Sequence, residues 1–216
     1  MKIIEYGNNW LIEDQLDDEL LNDIKNFCDK NLEFLYKDKE NYSTTGDNVE
    51  QYWIEKRGEK PFYYENKEHE NIKRRFREGI HGRLKAASLL KSDDDTQLRQ
   101  VMAWTVIGEE GSYHTIHNHA AGRHDGISVV LYLNVPESEE KNKSNSIFLV
   151  LHTDPSSKFL NQGCPSIYHK EPEVGTLLIF PYHVPHGTYP QTKGIRQTFN
   201  VDYELYPKTK SPINYS

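Results

Sequence analysis

Residues 176–200 read TLLIFPYHVPHGTYPQTKGIRQTFN, and the fold can be read outward from this stretch. The run 176–180 is almost wholly apolar, as expected of a buried strand. A turn-rich connection follows, containing Pro181-Tyr182-His183-Val184-Pro185-His186-Gly187. Residues 191–194 read as a turn, and 197–203 as the next strand. Upstream, the short apolar runs 101–107, 127–133 and 147–151 repeat this texture, with connections at 109–111, 137–145 and 155–165. The segment 137–145 (ESEEKNKSN) is highly charged and reads as a mobile loop.

The N-terminal half is different. The first ten residues suggest a short strand or extended arm. Leu16, Leu20, Ile24 and Phe27 recur at spacings of three and four, which predicts a helix over 14–30. Ile72, Phe76, Ile80 and Leu84 predict a second helix over 70–90. Its outer face carries Lys73, Arg74, Arg75 and Arg77, read either as a solvated face or as a dock for an acidic substrate. Residues 37–68 are polar and read as loops, with one short hairpin around 52–54. Helices first and short strands after predict an α+β, mainly β chain built on a sandwich or barrel. The expected organisation is one domain: a helical and irregular support region over 1–97, a β core over 98–205 and a tail over 206–216.

Composition narrows the function. The 216 residues carry 26 Lys+Arg against 33 Asp+Glu, a formal net charge of −7, so a nucleic-acid partner is not expected. No apolar run approaches a membrane span, and the N-terminus lacks the pattern of a secretory signal. Two cysteines, Cys28 and Cys164, make no disulfide framework. The expectation is a cytoplasmic protein without membrane partners.

The unusual residue is histidine. Of ten in the chain, eight lie between His114 and His186, which directs attention to metal chemistry. In an extended strand the side chains of His117 and His119 point the same way, close enough to hold one ion, while Asn118 points away. His186 can join them in a barrel. An Arg with a hydroxyl two residues later on an inward face, Arg196 and Thr198, suits a carboxylate through a bidentate fork and a third hydrogen bond.

The order HxH, then His, then Arg resembles the Fe(II)/2-oxoglutarate oxygenases of the prolyl-4-hydroxylase-like superfamily, and within it a branch of bacterial and phage oxygenases. The resemblance spans about 98–205. It is carried by Trp104 ahead of Gly111, His117-x-His119, Leu131-Tyr132-Leu133, Asp154-Pro155, Phe180-Pro181 through His186-Gly187, and Arg196. It implies a double-stranded β-helix (a jelly roll) flanked by the N-terminal helices. It also implies Fe(II), 2-oxoglutarate and O2 as the reaction's cofactor and cosubstrates. The implied reaction is hydroxylation of an unactivated C–H bond in a peptide, amino acid or other small metabolite. His117, His119 and His186 are then the metal ligands and catalytic residues. Arg196 would bind the distal carboxylate of 2-oxoglutarate, with Thr198 and Tyr132 beside it.

Two departures leave alternatives open. The superfamily has Asp or Glu in the place of His119, and the branch has a proline directly after it where residues 120–126 intervene here. Either His119 ligates iron, or it neighbours a two-histidine site; Asp125 is a distant third candidate. Three-histidine sites also occur in cupin-like dioxygenases that do not use 2-oxoglutarate, and a non-catalytic metal-binding barrel has the same outline. His114 and His183 are read as surrounding or surface residues.

Overall fold

The computed structural model describes residues 1–6, 9–37, 49–56, 67–90, 96–120, 126–136, 146–151 and 167–207. The expectations for Asp125, 137–145, Asp154-Pro155, 155–165 and most of the tail lie outside these residues.

In chain order the elements are β1 (Lys2–Tyr6), β2 (Asn9–Gln15), α1 (Asp18–Asn31), β3 (Tyr36–Lys37), β4 (Val49–Glu55), α2 (Lys67–Ala86) and β5 (Thr96–Gly108). There follow β6 (His114–His117), β7 (Gly126–Asn134), β8 (Ile147–Val150), β9 (Ile167–Lys170), β10 (Thr176–Pro181), β11 (His186–Thr188) and β12 (Arg196–Pro207). An eight-stranded sheet runs β1-β2-β10-β7-β12-β5-β4-β3, and a four-stranded sheet runs β6-β11-β8-β9. All pairings are antiparallel. The two sheets form the double-stranded β-helix, and both helices are N-terminal, as the order of elements predicts.

The large sheet is buried on both faces, which explains the near-continuous apolar runs of its central strands. On β10, Leu177 and Ile179 join the core beneath the helices, while Leu178 and Phe180 join the core between the sheets. On β7, Leu131 faces the helices and Tyr132 the interior. On β12, Phe199, Val201 and Tyr203 face the helices, with Phe199 edge-on to Phe76 of α2 at 5.4 Å. Burying each such side chain is worth about 1.5–3 kcal/mol. That anchorage fixes the register of β12, and so turns the opposite residues, Arg196, Thr198 and Asn200, into the barrel.

Helix α1 starts at Asp18, four residues later than the spacing predicts. The Asp17 side chain caps it by accepting from the Leu20 N–H at 2.9 Å. Residues 9–15 pair instead with β1 and β10, and Leu16 donates its N–H to the Gly175 carbonyl at 3.0 Å. The segment 49–55, read as loop and short hairpin, is a full strand alongside β5. The basic face of α2 is engaged in ion pairs. Lys73 meets Glu55 on β4, Arg75 meets Glu19 and Asp23 on α1, and Arg74 meets Glu78 one turn on. Lys73 and Arg75 fasten α2 to its neighbours, while Arg74 pairs within the helix.

Candidate metal and cosubstrate site

The site lies where the small sheet closes over the inner face of β12. Strand β11 pairs with β6 so that His186 stands directly opposite His117, and their rings approach to 4.4 Å between centroids. His119 lies two residues beyond His117, past the end of β6. It is held there by its own N–H, which donates to the Tyr182 carbonyl at 3.0 Å. Its ring is 5.3 Å from that of His117 and 5.1 Å from that of His186. One nitrogen from each of the three rings lies within 4.8 Å of the others.

Gly187 makes this approach of β11 to β6 possible. A Cβ there would sit 2.8 Å from the His114 carbonyl oxygen and 2.7 Å from the Phe148 ring. The glycine after His186 is therefore required by the closeness of the two strands that carry the histidines.

The hydrogen bonds decide which nitrogen each ring offers. His117 Nδ1–H donates to the Thr115 carbonyl at 2.8 Å, and His186 Nδ1–H to the Val184 carbonyl at 3.0 Å. A carbonyl only accepts, so Nδ1 carries the proton and Nε2 keeps its lone pair. His119 Nδ1 lies 2.9 Å from both carboxylate oxygens of Asp202. All three rings thus have Nδ1 engaged and Nε2 free for a metal. Burial favours the neutral form of two of them. It pushes His186 well below the ordinary imidazole range, with His119 and His117 adding to the shift, and it lowers His117 as well. A set of convergent imidazole nitrogens fits a first-row divalent ion such as Fe(II).

Arg196 opens β12 and is only 4% exposed. Its guanidinium donates to Thr188 Oγ1 at 3.2 Å, and the same oxygen accepts the His114 N–H at 2.9 Å. Thr188 is two residues beyond His186, so the histidine and arginine halves of the site are joined through β11. Tyr132 also lines the cavity; burial pushes its phenol up to about 12, so it remains a neutral hydrogen-bonding group. The Thr198 hydroxyl accepts from the Asn200 side chain at 3.0 Å. Gln191 braces the turn before Arg196, donating to the carbonyls of Gly108 at 3.0 Å and Gly194 at 2.6 Å.

His117, His119, His186, Tyr132, Arg196 and Thr198 all line one cavity, the arrangement sought from the sequence. His114 lines it too; burial lowers it to about 3, and it sits as a neutral ring 6.0 Å from His117. His183 does not join them, being exposed and bonded to Asn9 at 2.6 Å. Asp202, Ser128, Thr188 and Gln191 were not singled out from the sequence. Asp202 continues the alternation 196, 198, 200, so its face was legible one step further along. The other three are recognisable only by what they meet across strands. Two aromatic rings shield the site: Trp104 at 5.7 Å from His119, and Phe180 edge-on to His186 at 4.8 Å.

Residues 102–202, which include every site residue above, match the family described as "Putative 2OG-Fe(II) oxygenase". No curated protein matches the sequence. Among solved structures, the chain is similar to a Pseudomonas putida prolyl-4-hydroxylase, with TM-score 0.58 and 16% identity, covering 90% of this chain and 91% of that one. It is similar to HygX from Streptomyces hygroscopicus with nickel and 2-oxoglutarate bound, with TM-score 0.57, 12% identity and coverage of 93% and 84%. Another structure of HygX also holds hygromycin B. A third similar structure is a prolyl hydroxylase from Trichoplax adhaerens in complex with a peptide fragment, with TM-score 0.57, 12% identity and coverage of 90% and 82%. At these identities the likeness is one of fold, and it agrees with the sequence match over the core. Residues 102–202 thus carry the match to the 2-oxoglutarate–Fe(II) oxygenase family, and the chain shares the fold of a prolyl-4-hydroxylase.

Proposed function

We propose that His117, His119 and His186 hold Fe(II), and that Arg196 pairs with the distal carboxylate of 2-oxoglutarate in an enzyme that hydroxylates a C–H bond of a peptide or other small molecule. The observation that carries this reading is a buried guanidinium lining the same cavity as three convergent imidazoles.

When bound, Fe(II) and 2-oxoglutarate supply the oxidation: 2-oxoglutarate and O2 yield succinate and CO2, and one oxygen atom enters the substrate C–H bond. The chain's own residues prepare the site. The carbonyls of Thr115 and Val184 fix the tautomers of His117 and His186, so that lone pairs and not protons face the metal. Arg196 offers its fork to a carboxylate, with Thr188, Thr198 and Tyr132 as hydroxyls close at hand. Trp104 and Phe180 keep water from the imidazoles, which strengthens every polar contact inside. A peptide or small-molecule substrate agrees with neighbours that hold a peptide fragment or hygromycin B.

The test is oxygen uptake by the iron-loaded protein with and without 2-oxoglutarate, together with mass spectrometry of candidate substrates. The proposal expects uptake only with 2-oxoglutarate, stoichiometric succinate, and a product heavier by one oxygen atom. Oxygen uptake that proceeds equally without 2-oxoglutarate overturns it in favour of the cupin-like alternative.

A further inference from the structure

Among the three site histidines only His119 rests on a charged group. Asp202 lies on the inner face of β12 and is fully buried, with 0% exposure. Both of its carboxylate oxygens lie 2.9 Å from His119 Nδ1. Ser128 is its register partner across β7, and the Ser128 hydroxyl donates to Asp202 Oδ1 at 2.9 Å. On the other flank, the pairing of β12 with β5 slips by one residue between Asp202 and Tyr203. The extra residue is Val101 of β5, so β12 keeps its alternation and Asp202 stays on the inner face. A carboxylate taken fully out of water is costly unless its lone pairs are used, and here His119 and Ser128 use them.

We propose that Asp202 is a positioning residue that makes His119 do the work of the carboxylate usual in a facial triad. The inference rests on the reading of His119 as a metal ligand. Three neutral imidazoles give a donor set one negative charge short of two imidazoles and a carboxylate. Asp202 restores that charge behind the ring, across a hydrogen bond of 2.9 Å to Nδ1. Its carboxylate draws on the Nδ1 proton, raises the electron density at Nε2 and fixes the tautomer that presents a lone pair to the metal. His117 and His186, which donate to backbone carbonyls, receive no such charge. The three ligands are therefore unequal, and His119 is the strongest donor. Ser128 Oγ lies 2.9 Å from both Asp202 Oδ1 and His119 Nδ1 and so braces the pair.

The experiment titrates Fe(II) anaerobically into wild type, Asp202→Asn, Ser128→Ala and His119→Ala. It then records the metal-to-2-oxoglutarate absorption band of each complex. Asparagine keeps the shape but removes the charge, and its amide N–H can donate to Nδ1, moving the ring proton to Nε2. Iron affinity should fall 10- to 100-fold in Asp202→Asn, the usual cost of losing a hydrogen-bond partner behind a ligand. The band should move to shorter wavelength, because a poorer donor leaves the iron harder to oxidise. Ser128→Ala should move both readouts the same way by less. A variant that merely disturbed the fold would leave the band's position unchanged in the fraction that binds iron. If Asp202→Asn does not fold, Ser128→Ala carries the test alone, and an unchanged affinity and band in it overturn the proposal. Unchanged affinity and band in Asp202→Asn, with iron lost from His119→Ala, overturn the role of Asp202 and leave His119 a ligand. Iron retained in His119→Ala overturns the ligand reading itself.

Discussion

Replacing Arg196 tests the cosubstrate half of the site. The side chain is 4% exposed and lies beside the fully buried Tyr132, so a carboxylate docked on it is removed from water along with it. Taking away one partner of such a pair strands the other charge in the interior, at a cost of about 3–5 kcal/mol. At ~1.4 kcal/mol per tenfold, the dissociation constant of 2-oxoglutarate rises by roughly two to three and a half decades in Arg196→Ala. Lysine returns the charge but not the planar fork that also reaches Thr188, so Arg196→Lys recovers only part of the loss. A solvent-exposed pair would be worth about 0–1 kcal/mol, roughly a fivefold effect at most. The size of the loss therefore reports whether the carboxylate sits in the cavity. The assay is an anaerobic titration of 2-oxoglutarate into the iron-loaded proteins, followed by the metal-to-ligand absorption band. Equal affinities in wild type and both variants refute the assignment of Arg196.

Three further outcomes follow from the fold. Gly187→Ala should lower metal affinity and thermal stability together, because the added methyl strikes the His114 carbonyl and forces β11 away from β6; a variant with wild-type iron binding would contradict the close approach. Asp17→Ala should destabilise the protein by about 0.5–2 kcal/mol in denaturant unfolding, the worth of an N-cap, without changing iron content. The metal-free protein should lose stability as pH falls below the ordinary histidine value. Burial depresses His186, His117, His114 and His69 in the folded state, so below pH ~6.5 the unfolded chain binds more protons and is favoured. Each fully buried ring contributes up to about 1.4 kcal/mol per pH unit. Melting temperature measured from pH 8 to pH 5 checks the sign; a flat profile would show that these rings are not held neutral.

The polar parts of the site were legible because they obey strand alternation. Arg196, Thr198 and Asn200 fall on one face of β12, and the apolar residues between them bury against the helices; His117 and His119 line the same cavity although β6 ends at His117. That rule needs no knowledge of neighbours. Ser128 and Thr188 escaped because a serine or threonine in a strand carries no signal until its cross-strand partner is known. Asp202 escaped for a different reason. A charged residue at the end of an apolar strand reads as the point where the strand leaves the core, whereas here the strand runs on to residue 207 and the charge lies fully inside. The late start of α1 has a similar cause. Leu16 continues the apolar stripe, but residues 9–15 gain more by pairing with β1 and β10 than by adding a helical turn. Outer strands such as β2 and β4, each one place in from an edge of the large sheet, take their conformation from a partner already in place, and their own periodicity is weak.

The most direct test of the account is iron bound per chain after anaerobic loading and gel filtration, in wild type and in His117→Ala, His119→Ala and His186→Ala. The account predicts one iron in wild type and loss of it from each variant, since the three nitrogens lie within 4.8 Å of one another around a single point. Wild-type iron content in His117→Ala or His186→Ala would contradict it.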